Sequence, residues 1–152
     1  MNFFEFLKIF LALFEFLCYS ICERGDIVEI TWLSKKNKDT VTIYETNLTL
    51  NTNASKYFKD NSCAAVGYTE KDDKLIIKAL DEEDIKSGVY NEDSMHQVTI
   101  KATYGRINGT DLIKNLTSFH KLDFESKPNH KFQGVWDDSS KSLIIDLKEE
   151  IL

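Results

Sequence analysis

Proline is nearly missing from this chain: one residue, Pro128, in 152, with six glycines and three cysteines beside it. That scarcity excludes collagen-like, proline-rich and glycine-rich linker architectures. Cysteines at positions 18, 22 and 63 are too few for a disulfide-dense mini-scaffold, and no CxxC or Cys/His spacing marks a zinc site. The histidines, His96, His120 and His130, share no helical or i, i+2 spacing, so a metal site would need the fold to gather them. Lys35-Lys36-Asn37-Lys38 is the one basic cluster and the formal net charge is −6, so the concentrated basic surface that nucleic acid requires is lacking. No Ser or Cys sits in a nucleophile elbow or a papain-like context, and the Dx[DN]x[DN]G calcium spacing is absent. The sequence thus nominates no catalytic, cofactor-binding or metal-ligating residue, and a non-enzyme is the expectation.

What is present begins with an apolar run, Phe3 to Cys22, ending in small residues and followed at once by polar sequence. It reads as a secretory signal peptide over residues 1–20, with Cys18-Tyr19-Ser20 as a small-x-small cleavage site, or to residue 22 if cleavage follows Cys22. Glu5, Lys8 and Glu15 interrupt the run. At 100° per residue they fall within about 80° of arc, so a retained amphipathic helix is the second reading. A permanent membrane span is disfavoured, because charges near a helix centre cost about 2.5–3.5 kcal/mol each.

Export is supported independently by sequons at Asn47, Asn53, Asn108 and Asn115, with a rarer Asn-Ser-Cys at Asn61, where chance would supply about one or two. After cleavage at Ser20 the cysteines left are Cys22 and Cys63, enough for one disulfide. Closing a loop of about forty residues would stabilise by roughly 3–4 kcal/mol in the chain-entropy model. Residues 21–152 make one domain, long enough for a core of its own.

Beyond the leader the dominant period is two. Val28, Ile30 and Trp32 share a face in Ile27–Leu33, and Ala64, Val66 and Tyr68 do so further on. Leu75, Ile77 and Ala79 repeat the pattern, as do Val98, Ile100, Ala102 and Tyr104, and Leu143, Ile145 and Leu147. In Thr40–Leu50 the apolar parity switches between Val41/Ile43 and Leu48/Leu50. A β-bulge near Glu45–Asn47 would keep both pairs inward and turn Asn47 out. Asn108-Gly109 reads as a hairpin turn, Asp81–Ser87 as a turn or two of helix, Asp111–His120 as helix or strand, and Glu125–His130 as a loop.

About seven short strands predict an all-β fold: an antiparallel β-sandwich, Ig-like or similar, with little helix after the leader and an up-and-down barrel as the alternative. Function is expected to be that of a secreted, N-glycosylated binding module for a protein or glycan partner. A carrier of a small apolar ligand, or a secreted enzyme inhibitor, is the alternative. Weak partner contacts are Arg24-Gly25-Asp26, an integrin-type tripeptide, and Tyr44, an aromatic on the outward phase of its strand. The run Asp81–Asp84 reads first as a solvated helix start.

Overall fold

The computed structural model describes residues 3–5, 7–8, 30–33 and 38–152, and the chain divides into two compact units, Met1–Lys35 and Lys36–Leu152. In the first unit, residues 3–5 and 7–8 are helical with Phe3 and Phe4 exposed. The strand expected over Ile27–Leu33 is not formed across its described part: residues 30–33 lie in no strand, and Trp32 is 84% exposed. Alternation alone is not enough, since a strand needs a neighbour whose backbone it can pair with. Cys22, both cleavage points and Arg24-Gly25-Asp26 lie outside the described residues.

The second unit is all-β and antiparallel, as expected. Its eight strands are β1 (Thr40–Tyr44), β2 (Asn47–Asn51), β3 (Cys63–Thr69), β4 (Lys74–Leu80), β5 (Met95–Ile100), β6 (Tyr104–Asn108), β7 (Asn129–Asp137) and β8 (Ser142–Glu150). Hydrogen bonding runs β1-β2-β6-β5-β3-β4-β8-β7 and closes back on β1, forming a barrel. Four local hairpins, β1–β2, β3–β4, β5–β6 and β7–β8, supply half of the pairings, and the joints between hairpins supply the rest. Opposite walls of such a ring meet in the middle as the two layers of a sandwich do. Short helices fill the crossings: α1 (Thr52–Ser55) with a 3-10 turn at Lys56–Phe58, α2 (Glu82–Lys86), a 3-10 turn at Glu92–Ser94, and α3 (Thr110–Phe119).

The parity switch in Thr40–Leu50 has a different cause from the bulge expected there. Val41 pairs with Leu50 and Ile43 with Leu48 across a two-residue turn at Glu45–Thr46. Partner numbers in this register sum to an odd value, so residues facing each other must have opposite parity. Val41, Ile43, Leu48 and Leu50 all end fully buried on one face. Asn47 lies on the other face, half-buried, accepting a 3.0 Å bond from the Thr49 hydroxyl.

Two strands escaped the sequence reading. In β7 the buried positions are His130, Phe132 and Gly134, while Val135 points out at 63% exposure. Structural alternation is regular there, but two of its three inward residues are not apolar. In β6 the inward residues are Gly105 and Ile107, which leaves only one hydrophobic mark. The strand expected to run from Gln97 to Tyr104 breaks into a turn at residues 101–103, closed by a 2.8 Å bond from Lys101 N–H to the Tyr104 carbonyl. Asn108-Gly109 is not a hairpin turn: Asn108 ends β6 and Gly109 caps α3, donating its N–H to Thr46 O at 3.0 Å. The ambiguous segment Asp111–His120 is the body of that helix. The acidic run at Asp81 is a helix start, with a capping box between Asp81 and Asp84.

The core runs the length of the ring. Phe58, Phe132, Ile43, Leu48, Leu75, Ile77, Ile107, Leu143 and Ile145 are all under 2% exposed, each burial favouring folding by about 1.5–3 kcal/mol. Strand registers place α1 at the end marked by Asn51 and Tyr104, and α3 at the opposite end, marked by Asn47 and Asn108. Ile113 and Leu116 of α3 enter the core from that end.

Candidate functional site at the helix-capped mouth

Strand β3 is paired unequally on its two sides. β3 pairs with β4 along all seven of its residues but with β5 only across Cys63–Ala65. β5 begins at Met95, opposite Ala65, so no described strand flanks the rest of β3 on that side, and α3 covers the opening. The amphipathic sequence of α3 explains its seat: Ile113 and Leu116 are buried, Leu112 packs on the core, and Phe119, one turn past Leu116, stays 56% exposed. Between helix and strand lies an open cleft of about 310 Å³. Val66, Leu75, Leu112 and Leu116 line it, Tyr68 and Phe119 wall it, and Asp93, Ser94, Asp111 and Asn115 edge it. The Tyr68 and Phe119 rings stack with centroids 5.4 Å apart.

His96 lines the same cleft, half-buried, opposite Ala64. Burial lowers its pKa below the ordinary histidine value, so its neutral form is favoured. It makes no hydrogen bond to the described residues.

Tyr68 joins this cleft to a polar knot. Its hydroxyl donates to Asp73 Oδ1 at 2.6 Å, and His120 Nδ1 contacts both Asp73 oxygens at 3.0 and 3.1 Å. Asp73 occupies the β3–β4 turn in the left-handed region, φ 53°, a conformation that Asp tolerates better than most residues. Burial pushes the Asp73 pKa up, but the Tyr68 hydroxyl and His120 outweigh it and hold it below the usual carboxylate value. The bond to Asp73, with burial, pushes the Tyr68 phenol up to about 12. A carboxylate that orients a histidine is half of a general-base arrangement. Among the described residues no hydroxyl or thiol bonds either His120 nitrogen, so the knot has no nucleophile attached.

The third histidine, His130, is buried on β7. Its Nδ1 faces Glu150 Oε1 and its Nε2 faces the Asp123 carbonyl, both at 3.1 Å, and Lys127 also bonds Glu150. Both ring nitrogens therefore face acceptors, and the imidazolium form can donate to both at once. This knot fastens the segment after α3 to β8. The fold thus brings His96, His120 and His130 to one end of the barrel, but into three separate environments. No group of three or more metal-ligating side chains is gathered among the described residues.

At the opposite end Tyr57 and Trp136 stack in parallel, centroids 4.4 Å apart, with Tyr57 bonded to Asp39 and Trp136 to Asp138. Tyr44, at the exposed end of β1, pairs with Asn129 near the mouth. The sequons divide by exposure: Asn108 and Asn115 are exposed at the α3 end, whereas Asn47 and Asn53 are half-buried, the Asn53 amide bonding Asp39. Cys63 is a free thiol, and its expected partner Cys22 is outside the described residues. No described helix is long and apolar enough to cross a membrane.

Apart from the apolar spacing of Leu112, Leu116 and Phe119, the cleft at the mouth left no trace in the hydrophobic pattern, because it arises where β3 runs on past the start of β5. No protein-family model, curated protein or solved structure matches this chain.

Proposed function

We propose that this chain is an exported, N-glycosylated, non-catalytic binding domain that seats its partner at the α3-capped mouth of the barrel. The observation that carries the reading is the cleft itself. The barrel interior is filled with side chains, and this open, largely apolar and aromatic recess lies at its end with an imidazole inside that makes no hydrogen bond to the described residues. The leader and sequons of the sequence support export. The Cys22–Cys63 disulfide belongs to the same proposal, since export would expose the half-buried Cys63 thiol to oxidising conditions.

The test has two arms. Secretion from a eukaryotic cell, followed by N-terminal sequencing, glycosidase treatment and thiol titration, examines export. Retention in the cytosol with the leader attached overturns that part. Titration of the isotope-labelled protein with a small-fragment set, read by amide NMR shifts, examines the mouth. Shifts concentrated on residues 66–68, 94–96 and 111–119 support it, and shifts confined to other faces overturn it.

A second reading, recognition of a protein partner, is favoured by the outer face of β7 and β8. There Val135, Ile144 and Ile151 border an open cleft of about 560 Å³ with Gln133, Lys74 and Glu149 around it. An exposed apolar centre with a polar rim is the anatomy of a protein interface.

A further inference from the structure

The mouth cleft has a chemistry more particular than "apolar". Its floor is aliphatic and its wall is a pair of stacked rings, one of them Phe119, more than half exposed. Both carboxylates at its edge, Asp93 and Asp111, lie on the solvent side, and among the described residues no Lys or Arg lines it. Among the described residues Lys114 pairs with Asp111 at 3.9 Å, with both side chains largely in solvent, where such a pair is weak. An anionic ligand would bring its charge beside two carboxylates with no cation to receive it. A neutral ligand would gain nothing from them. A ligand with a protonated nitrogen gains twice, from the carboxylates and from the aromatic faces, which attract cations through their quadrupoles.

From this we infer that the mouth binds a small amphipathic amine: a compact apolar body, about one ring in size, held by Val66, Leu112 and Leu116, with its ammonium between Phe119 and the carboxylates of Asp93 and Asp111. The inference rests on the mouth reading above and adds the class of ligand. A volume of about 310 Å³ stands at the small end of ligand sites, which suits a single ring or a short branched chain. His96 contributes a polar atom inside the cleft without a competing positive charge. The net charge of −6 draws cations toward the molecule as a whole.

Three probes with nearly the same body and different heads make the test: phenethylamine, phenethyl alcohol and 3-phenylpropionate. They are titrated into the full secreted protein and followed by amide NMR shifts at the mouth. Phenethylamine is expected to bind about tenfold more tightly than the alcohol, with the carboxylate weakest, and the preference to shrink as salt is raised. The double variant Asp93→Asn/Asp111→Asn, altered only at exposed positions, should bring amine and alcohol within about twofold of each other. Phe119→Ala should weaken both. A fourth probe, Nα-acetyl-lysine methylamide, carries its ammonium as a protein side chain would. Tighter binding of that probe than of phenethylamine would assign the site to a partner's lysine and overturn the small-molecule source. Equal binding of amine and alcohol overturns the amine assignment while leaving the mouth as a binding site. Failure of every probe to shift mouth resonances removes both.

Discussion

Asp73 holds together more of the mouth than any other single side chain. It receives Tyr68, which walls the cleft, and His120, which ends α3, while its own backbone sits in the left-handed region. Asp73→Asn is expected to cost about 1–2 kcal/mol, because charge-assisted bonds to a partly exposed carboxylate contribute at the lower end of their range. Urea unfolding would measure it, and an unchanged midpoint would contradict the assignment. The same substitution should return the Tyr68 phenol from about 12 toward its ordinary value of 10.0, followed by ultraviolet titration. The sign follows from linkage. The raised phenol supplies stability below pH 10 that is lost as pH rises through about 12. The depressed Asp73 supplies stability above its ordinary value of 3.8 that is lost as pH falls through the lower folded value.

Side-chain environment also separates the four sequons. A glycan on Asn53 would displace an amide that bonds Asp39, whereas Asn108 and Asn115 present theirs to solvent. Secreted protein should therefore carry sugar on Asn108 and Asn115 and little on Asn53, and glycopeptide mass spectrometry would show it. Full occupancy at Asn53 would count against the described contact.

At the scale of elements, strand faces were more readable than the hairpins that join them. Turn length sets partner parity, so the switch from odd Val41/Ile43 to even Leu48/Leu50 already encoded two paired strands. The bulge inferred from it was the wrong device for the right facing. β7 was unreadable for the opposite reason: its inward side takes His130 for a hydrogen-bond knot and Gly134 because Leu143 fills the space. A Cβ at Gly134 would lie 2.9 Å from Leu143 Cδ1, beside the register shift between β7 and β8. Gly134→Ala is expected to destabilise by about 1–3 kcal/mol. Gly67 in β3 gives the contrast, since nothing lies within 4 Å of an added Cβ and its φ is not positive. Gly67→Ala should be neutral or stabilise by about 0.4–1 kcal/mol. Equal effects from the two substitutions in thermal unfolding would refute the packing argument.

For the whole molecule, every pairing of the ring falls between Thr40 and Glu150. Just before β1, Asn51 Nδ2 donates to the Lys38 carbonyl and Asn51 Oδ1 accepts from Thr40 N–H, so the chain is tied down from Lys38 onward. A chain beginning at Lys36 is expected to fold as the full one does, with matching dispersed amide spectra. Collapse of that spectrum would show that the first unit is needed. Acid should be the more damaging extreme within the ordinary range. Asp73, Asp81, Asp123, Asp137 and Glu150 all have lowered pKa values, so Tm should hold above about pH 5 and fall as pH drops below about 4.

The amino-acid sequence by itself determined the all-β class and the inward and outward faces of most strands. These follow from side-chain alternation, which acts over a few residues. The order of hairpins around the ring was decided only in three dimensions. Every strand edge offers the same backbone donors and acceptors, so local sequence does not say which edges will meet. The mouth cleft belongs to that second category: it exists because β5 begins only opposite Ala65 and the helix that follows β6 covers the gap.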